Sequence, residues 1–269
     1  MSRRLRVRIT LAATLAAAAL APTAASAATQ VIGSGLNHQY QGGVCNVNCL
    51  SVQQSQVGGM SPHPLLSPAN GVITQWKVRS GDPNTLYTLR MMTPVAGNSY
   101  IVTNSVQGSA LTPPGTTDTI FTYPGQSAPI MQGQAIGVLQ TGAAANGLPQ
   151  HTTNGITANV IANQFNGNFS DGLGAVFISD AQHELLVQAT IQFCRVPNVI
   201  GQRRVAAVAA LAAAECGSSV TKKPRRSKKK RGKVLKQRTP PDSTVAPGTV
   251  VELVVGKKKK RKKKGGKKK

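Results

Sequence analysis

The chain has 269 residues, 40% hydrophobic and only 4% aromatic, with 32 Lys and Arg against 8 Asp and Glu and a net charge of +24. So few aromatics leave no conspicuous platform for stacking on sugars or bases, and the charge directs the chain toward polyanions. The charge is also uneven, which excludes a single evenly mixed domain: residues 1–27 carry four arginines and no acid, 28–193 carry three basic and five acidic residues, and 194–269 carry 25 basic and three acidic residues.

Residues 1–27 have the three parts of a secretory signal: arginines up to Arg8, an apolar stretch over 9–21 too short to span a bilayer comfortably, and Ala25-Ser26-Ala27 as a small-residue cleavage site. The expected mature chain starts at Ala28 and is extracellular or wall-associated. No later run is apolar enough for a transmembrane anchor. Four cysteines in an exported chain favour disulfides. Four allow three pairings, and locality favours Cys45 with Cys49 in a polar turn and Cys194 with Cys216 across a helix.

Residues 28–193 form the first expected domain. Its apolar residues come in short runs between Gly, Pro and Asn turns. The stretch 71–79 alternates, with Val72, Thr74, Trp76 and Val78 on one side and Ile73, Gln75, Lys77 and Arg79 on the other. Further strands are predicted at 86–92, 100–106, 119–123, 135–140, 156–161, 175–179 and 185–193. Many short strands separated by turns predict an all-β sandwich of jelly-roll form. Trp76, alternating with Val72 and Val78, is read as core and not as a sugar-stacking platform. The run Ser67-Pro68-Ala69-Asn70-Gly71-Val72-Ile73-Thr74-Gln75-Trp76, with Leu89-Arg90-Met91-Met92-Thr93-Pro94 and Gln132-Gly133-Gln134-Ala135-Ile136-Gly137, resembles uncharacterised β-sandwich domains of secreted actinobacterial proteins.

No catalytic constellation emerges, so the expectation is a non-enzymatic protein without cofactor or metal. His183-Glu184 lacks the second histidine of H-E-x-x-H, since position 187 is valine. His38 with Cys45 and Cys49 lacks a fourth metal ligand, and an oxidising compartment favours the disulfide. Gly125-Gln126-Ser127-Ala128-Pro129 lacks the second glycine of a nucleophile elbow and reads as a proline-bounded turn. Gly33-Ser34-Gly35 has no following helix or Lys-Ser/Thr to cradle a phosphate. The acids Asp82, Asp118, Asp171, Asp180 and Glu184 are scattered.

Residues 194–256 open with Cys194-Arg195-Val196-Pro197-Asn198-Val199-Ile200-Gly201. An alanine-rich helix follows from Gly201 to about Glu215, with Val205, Val208, Ala209, Leu211 and Ala212 as its buried face and Gly217 as the residue that terminates it. The stretch ends with Val234-Leu235-Lys236-Gln237 and Pro247-Gly248-Thr249-Val250-Val251-Glu252-Leu253-Val254-Val255. This order resembles a PASTA domain, whose pattern is V-P-x-V-x-G, a helix with A-x-x-x-L, and strands around Q-x-P-x-x-G and P-x-G-T-x-V-x-L-x-V. Thr239 stands where that pattern has its first proline and Asp242 where it has the turn glycine; Asp tolerates turn conformations. The resemblance implies a small α+β fold, with Val250, Leu253 and Val255 in the last strand, and recognition of peptidoglycan fragments.

Two basic runs flank the last strands. Lys222, Lys223, Arg225, Arg226, Lys228, Lys229, Lys230, Arg231 and Lys233 lie in the connection between strands. Lys257, Lys258, Lys259, Lys260, Arg261, Lys262, Lys263 and Lys264 open the Lys-rich tail 257–269, which has no apolar residue and is expected to be disordered in isolation. Both runs are candidate polyanion-binding residues, for peptidoglycan or acidic wall polymers and, nonspecifically, for other polyanions such as DNA. Two functions follow as expectations. In the first, a non-enzymatic envelope protein is held on the wall by its PASTA-like module and basic segments. In the second, the sandwich binds or hydrolyses a glycan and the basic C-terminus is its retention device.

Overall fold

The computed structural model describes residues 27–43, 48–55, 63–81, 85–97, 99–107, 118–141, 147–157, 160–165, 169–225 and 230–258. The expected signal segment up to residue 26, Cys45 and most of the tail lie outside them. Among the described residues, no helix is long and apolar enough to cross a membrane.

The first part is an all-β sandwich. One sheet orders β1 (Ala28–Gly33), β13 (Val187–Arg195), β3 (Gly71–Ser80) and β6 (Thr119–Ile130). The other runs through β5 (Ser99–Gln107), β4 (Leu86–Pro94), β7 (Ala135–Thr141) and β2 (Asn48–Ser55), and then β9 (Val160–Phe165). First strand beside last, third and sixth, facing fifth, fourth, seventh and second, is the strand order of a jelly roll.

Between the sheets lies a core containing Ile32, Ile73, Trp76, Val78, Leu89, Met91, Ile130, Val138, Ile161 and Ile191, all essentially inaccessible to solvent. Trp76 sits at its centre, stacked on Tyr123 with ring centroids 4.0 Å apart and planes 8° from parallel. Burial pushes the Tyr123 hydroxyl well above the ordinary tyrosine range. Trp76 is therefore a packing residue.

The second sheet curls. Its two outermost strands, β10 (Gly174–Val176), paired with β5, and β11 (Ile178–Ala181), paired with β9, are separated only by Phe177. One residue cannot bridge five flat strands at about 4.8 Å each, so the sheet folds until the segment joins both edges. Phe169 and Phe177 fill the concave side against Leu50, Val52, Met92 and Val102.

Several sequence expectations shift here. The predicted alternation in β3 holds from Trp76 to Arg79 but fails over residues 72–74, because the pairing with β6 slips between Ile73 and Gln75. This bulge puts Ile73, and not Val72 or Thr74, on the side of Trp76. Residues 125–129 form no turn but continue β6 through that bulge, with Gly125 at φ +71°. The 156–161 strand starts only at Val160, and 175–179 and 185–193 divide into β10 and β11, and into β12 (His183–Leu185) and β13. The strands β1, β2 and β8 (Gln150–Thr152) were not expected.

At one end of the sandwich, residues 34–41 are pinned by side chains. The Glu184 carboxylate, 1% exposed, accepts from Ser34 Oγ at 2.7 Å and from His38 Nδ1 at 2.6 Å, and His38 stacks on His151. Arg79 grips both oxygens of Asp118, at 2.5 and 2.7 Å, and donates to the Leu36 carbonyl, while Asp118 accepts from the Tyr40 N–H. The Arg79 hydrogen bonds hold the Asp118 carboxyl below the usual carboxylate range. The stability so contributed is complete above the unfolded carboxylate's range and is lost as pH falls through Asp118's depressed value. Urea unfolding followed from pH 7 to pH 3 should therefore show a loss of stability on acidification that is smaller in Asp118→Asn.

The second part is small. Helix α1 (Arg204–Ala213) lies on a three-stranded sheet ordered β14 (Gly217–Arg225), β17 (Val250–Lys258), β15 (Val234–Gln237). β14 pairs with β17 in parallel and β15 with β17 antiparallel. The core is Val196, Val199, Ala207, Leu211, Ala214, Val234, Val251, Leu253 and Val255 around the two cysteines. Gln237 ties the V-P-x-V entry to β15, accepting from the Val199 N–H and donating to the Pro197 carbonyl.

The helix face differs from the predicted one: Ala207, Leu211 and Ala214 are buried, while Val205 is 81% exposed. A run of alanines carries almost no hydrophobic contrast, so periodicity could not set its phase. Nor does Gly217 end the helix. Glu215, at φ +58°, takes the left-handed position, its N–H bonding Ala212 O and the next N–H, of Cys216, bonding Leu211 O. That is a Schellman motif closed by glutamate, which frees Gly217 to begin β14.

Candidate polyanion-binding face

The parallel register of β14 and β17 decides where the charge goes. Lys222 lies opposite Val255, Lys223 opposite Gly256, Pro224 opposite Lys257 and Arg225 opposite Lys258. Two basic runs far apart in sequence therefore leave the sheet side by side, one strand spacing of about 4.8 Å apart. The connection between β14 and β15 returns to the same place. Gly232 N bonds Gly256 O at 2.8 Å and Gly256 N bonds Lys233 O at 3.1 Å, so Lys230, Arg231 and Lys233 border the end of β17. Lys222, Lys223, Lys230, Lys233 and Lys257 have exposed side chains. Arg226, Lys228, Lys229 and the tail residues Lys259, Lys260, Arg261, Lys262, Lys263 and Lys264 lie outside the described residues.

Sequence reasoning missed two members of this face. Arg203 bridges to Lys233, and the Arg204 N–H bonds Gly232 O at 3.0 Å, which sets the N-terminus of α1 against the basic connection. Both arginines are exposed. Arg203 occupies the N-cap without a side-chain hydrogen bond, and the first turn has no acid. A helix N-terminus carries about half a positive charge and ordinarily attracts carboxylates. Two arginines there add to the positive potential, and the missing cap and acids were the legible signal.

The acids of this module lie elsewhere. Glu215 closes the far end of α1, Glu252 pairs with Arg238 at 2.8 Å, and Asp242 faces Arg195. The sandwich also enters at that far end. β13 continues without a break from the sandwich, pairing with β1 and β3 up to Phe193 and then, at Cys194 and Arg195, with β16 (Thr244–Val245). The expected boundary at 193/194 falls inside this strand. Cys194 is disulfide-bonded to Cys216, with Cα atoms 5.2 Å apart, next to the start of β14. Strand pairing and disulfide thus fasten the sandwich at one end, and the cations collect at the other. Cys49 is also disulfide-bonded, which removes its thiolate from any metal set with His38.

Among the described residues, the histidines and acids near Ser34 are not arranged as an acyl-transfer triad. Glu184 stands between Ser34 and His38, whereas a serine nucleophile needs the histidine in the middle to take its proton. The cluster acts as a clamp on residues 34–41.

A helix on a three-stranded sheet with one parallel pair, a V-P-x-V entry tied to a glutamine, and a cation-rich end define a small α+β module appended to a jelly roll. Residues 195–257 match the family of the PASTA domain, and the C-terminal module is a PASTA domain, a module of the cell-wall-related type. No curated protein and no solved structure matches the chain.

Proposed function

We propose that this is a secreted, non-enzymatic protein of the cell envelope. Its PASTA domain and basic segments bind peptidoglycan or anionic wall polymers and hold the jelly roll outward from them. The observation that carries this reading is the convergence of Lys222, Lys223, Lys230, Lys233 and Lys257 with Arg203 and Arg204 at the end of the module opposite the sandwich. A cationic cluster on a polymer of regularly spaced anions displaces counterions, so its binding is strong at low salt and falls steeply as salt rises. The family match supports an envelope location, as do the two disulfide-bonded sites and the leader-like first residues. With no interleaved aromatics in the basic runs, stacking on bases contributes nothing, which favours wall polymer over selective nucleic-acid binding. The test is sedimentation with purified wall sacculi. The full chain should co-sediment at low salt and be released as salt rises, and the jelly roll alone should stay in solution. Equal retention of the jelly roll would reverse the assignment of roles.

A further inference from the structure

The two domains meet at a half-open cleft of about 310 Å3. That is the low end of the roughly 300–1,000 Å3 range of small-molecule sites, which favour domain interfaces. One wall comes from the sandwich, with Thr29, Pro68 and Phe193, and the other from the PASTA domain and its entry strand, with Arg195, Asp242 and Thr244. Both walls are fixed, because Phe193 and Arg195 lie on the single strand β13, and Thr244 is hydrogen-bonded to that strand in β16.

Two features set the chemistry of this cleft. Arg195 and Asp242 face each other with Nη2 and Oδ1 3.6 Å apart, beyond hydrogen-bond distance, and their side chains are 64% and 77% exposed. The two form a loose, exposed ion pair and make no side-chain hydrogen bond among the described residues, so the guanidinium fork and the carboxylate keep open valences for a ligand. Asp242 also sits at φ +62°, where the PASTA pattern carries glycine. Aspartate tolerates this region at some cost, and the exchange adds a carboxylate at the rim that glycine would not supply.

We infer that the junction cleft binds a small zwitterion, an amino acid or short peptide, with its carboxylate on Arg195 and its ammonium on Asp242. A ligand entering between two opposite charges must replace each with its complement. An anion alone leaves Asp242 opposed by like charge, and a cation alone does the same to Arg195. The bidentate geometry of guanidinium on carboxylate makes the anionic end the stronger anchor, and Phe193 and Pro68 supply an apolar floor for a short side chain.

The inference is independent of the polyanion reading and is tested separately. Alanylalanine, its N-acetyl form (anion only) and its C-terminal amide (cation only) are titrated into the chain beginning at Ala28. Backbone amide shifts of Thr29, Arg195 and Thr244 are followed by NMR. The free dipeptide should shift these signals saturably, at least about tenfold more tightly than the N-acetyl form and more tightly still than the amide. Arg195→Gln and Asp242→Asn should each weaken it about tenfold or more without altering retention on sacculi. No saturable shift, equal binding of the blocked forms, or binding unchanged in both variants would overturn the inference.

Discussion

Replacing Lys222, Lys223, Lys230, Lys233 and Lys257 together by glutamine should weaken retention on wall sacculi by on the order of a hundredfold at low salt. The dependence of binding on salt should become shallower as well. The size follows from convergence: parallel pairing of β14 with β17 and the return through Gly232 bring five exposed ammonium groups to one end of a small sheet. Each charge that contacts an anion displaces about one counterion, so removing five should lower the logarithmic salt slope by nearly that number. The substitutions are exposed and leave the core of Val251, Leu253 and Val255 untouched, so the thermal unfolding midpoint should hardly move. Glutamine at Lys236 offers a control, since that exposed lysine lies on β15 opposite Val254, further from the cationic end. Retention that falls equally in Lys236→Gln would mean that net charge, and not its placement, does the binding.

The second large effect concerns the fastening of the two domains. Cys194→Ala with Cys216→Ala opens a crosslink with a sequence separation of 22, worth about 3 kcal/mol in the chain-entropy model. Against a module whose core is a short helix on three strands, that is a large fraction of the stability available. Two probes separate the domains. Trp76, the single tryptophan of the chain, is buried in the jelly roll and reports its unfolding by fluorescence. Helix α1 reports the PASTA domain through the helical circular dichroism signal. In the double variant the dichroism midpoint in urea should drop well below that of the native chain, while the fluorescence midpoint stays within experimental error. Equal shifts in both probes would mean that the disulfide stabilises the pair of domains as one unit.

Much of this architecture was legible in the residues, and the parts that were not share a physical cause. Short apolar runs bounded by turns, such as 86–92 and 135–140, became strands, the second of them buried on both faces, and the PASTA order could be read because its Gly, Pro and Val positions are tied to local geometry. The strand β1, Ala28-Thr29-Gln30-Val31-Ile32-Gly33, carries little such contrast, and it is held in place by β13 far away in sequence. The bulge at Ile73–Gln75 exchanged the inferred faces of residues 72–74 for a similar reason, since it arises in the pairing with β6. In the PASTA domain, alanines hid the phase of α1, and Glu215 took a left-handed position that pattern assigns to glycine. The basic residues themselves were obvious. Their meeting at one end was not, because it depends on a parallel pairing between residues more than thirty positions apart and on a helix start whose arginines look unremarkable in isolation.

The central claim, that the cationic end of the PASTA domain faces the wall and the jelly roll faces away, is tested most directly by lysine footprinting. Wall-bound and free protein are treated briefly with an acetylating reagent and modification is measured residue by residue. Lys77, the only lysine between residues 28 and 193, lies on β3 of the jelly roll and is an internal reference. Binding should protect Lys222, Lys223, Lys230, Lys233 and Lys257 severalfold and leave Lys77 unchanged. Protection of Lys77 with free modification of the five would contradict the account.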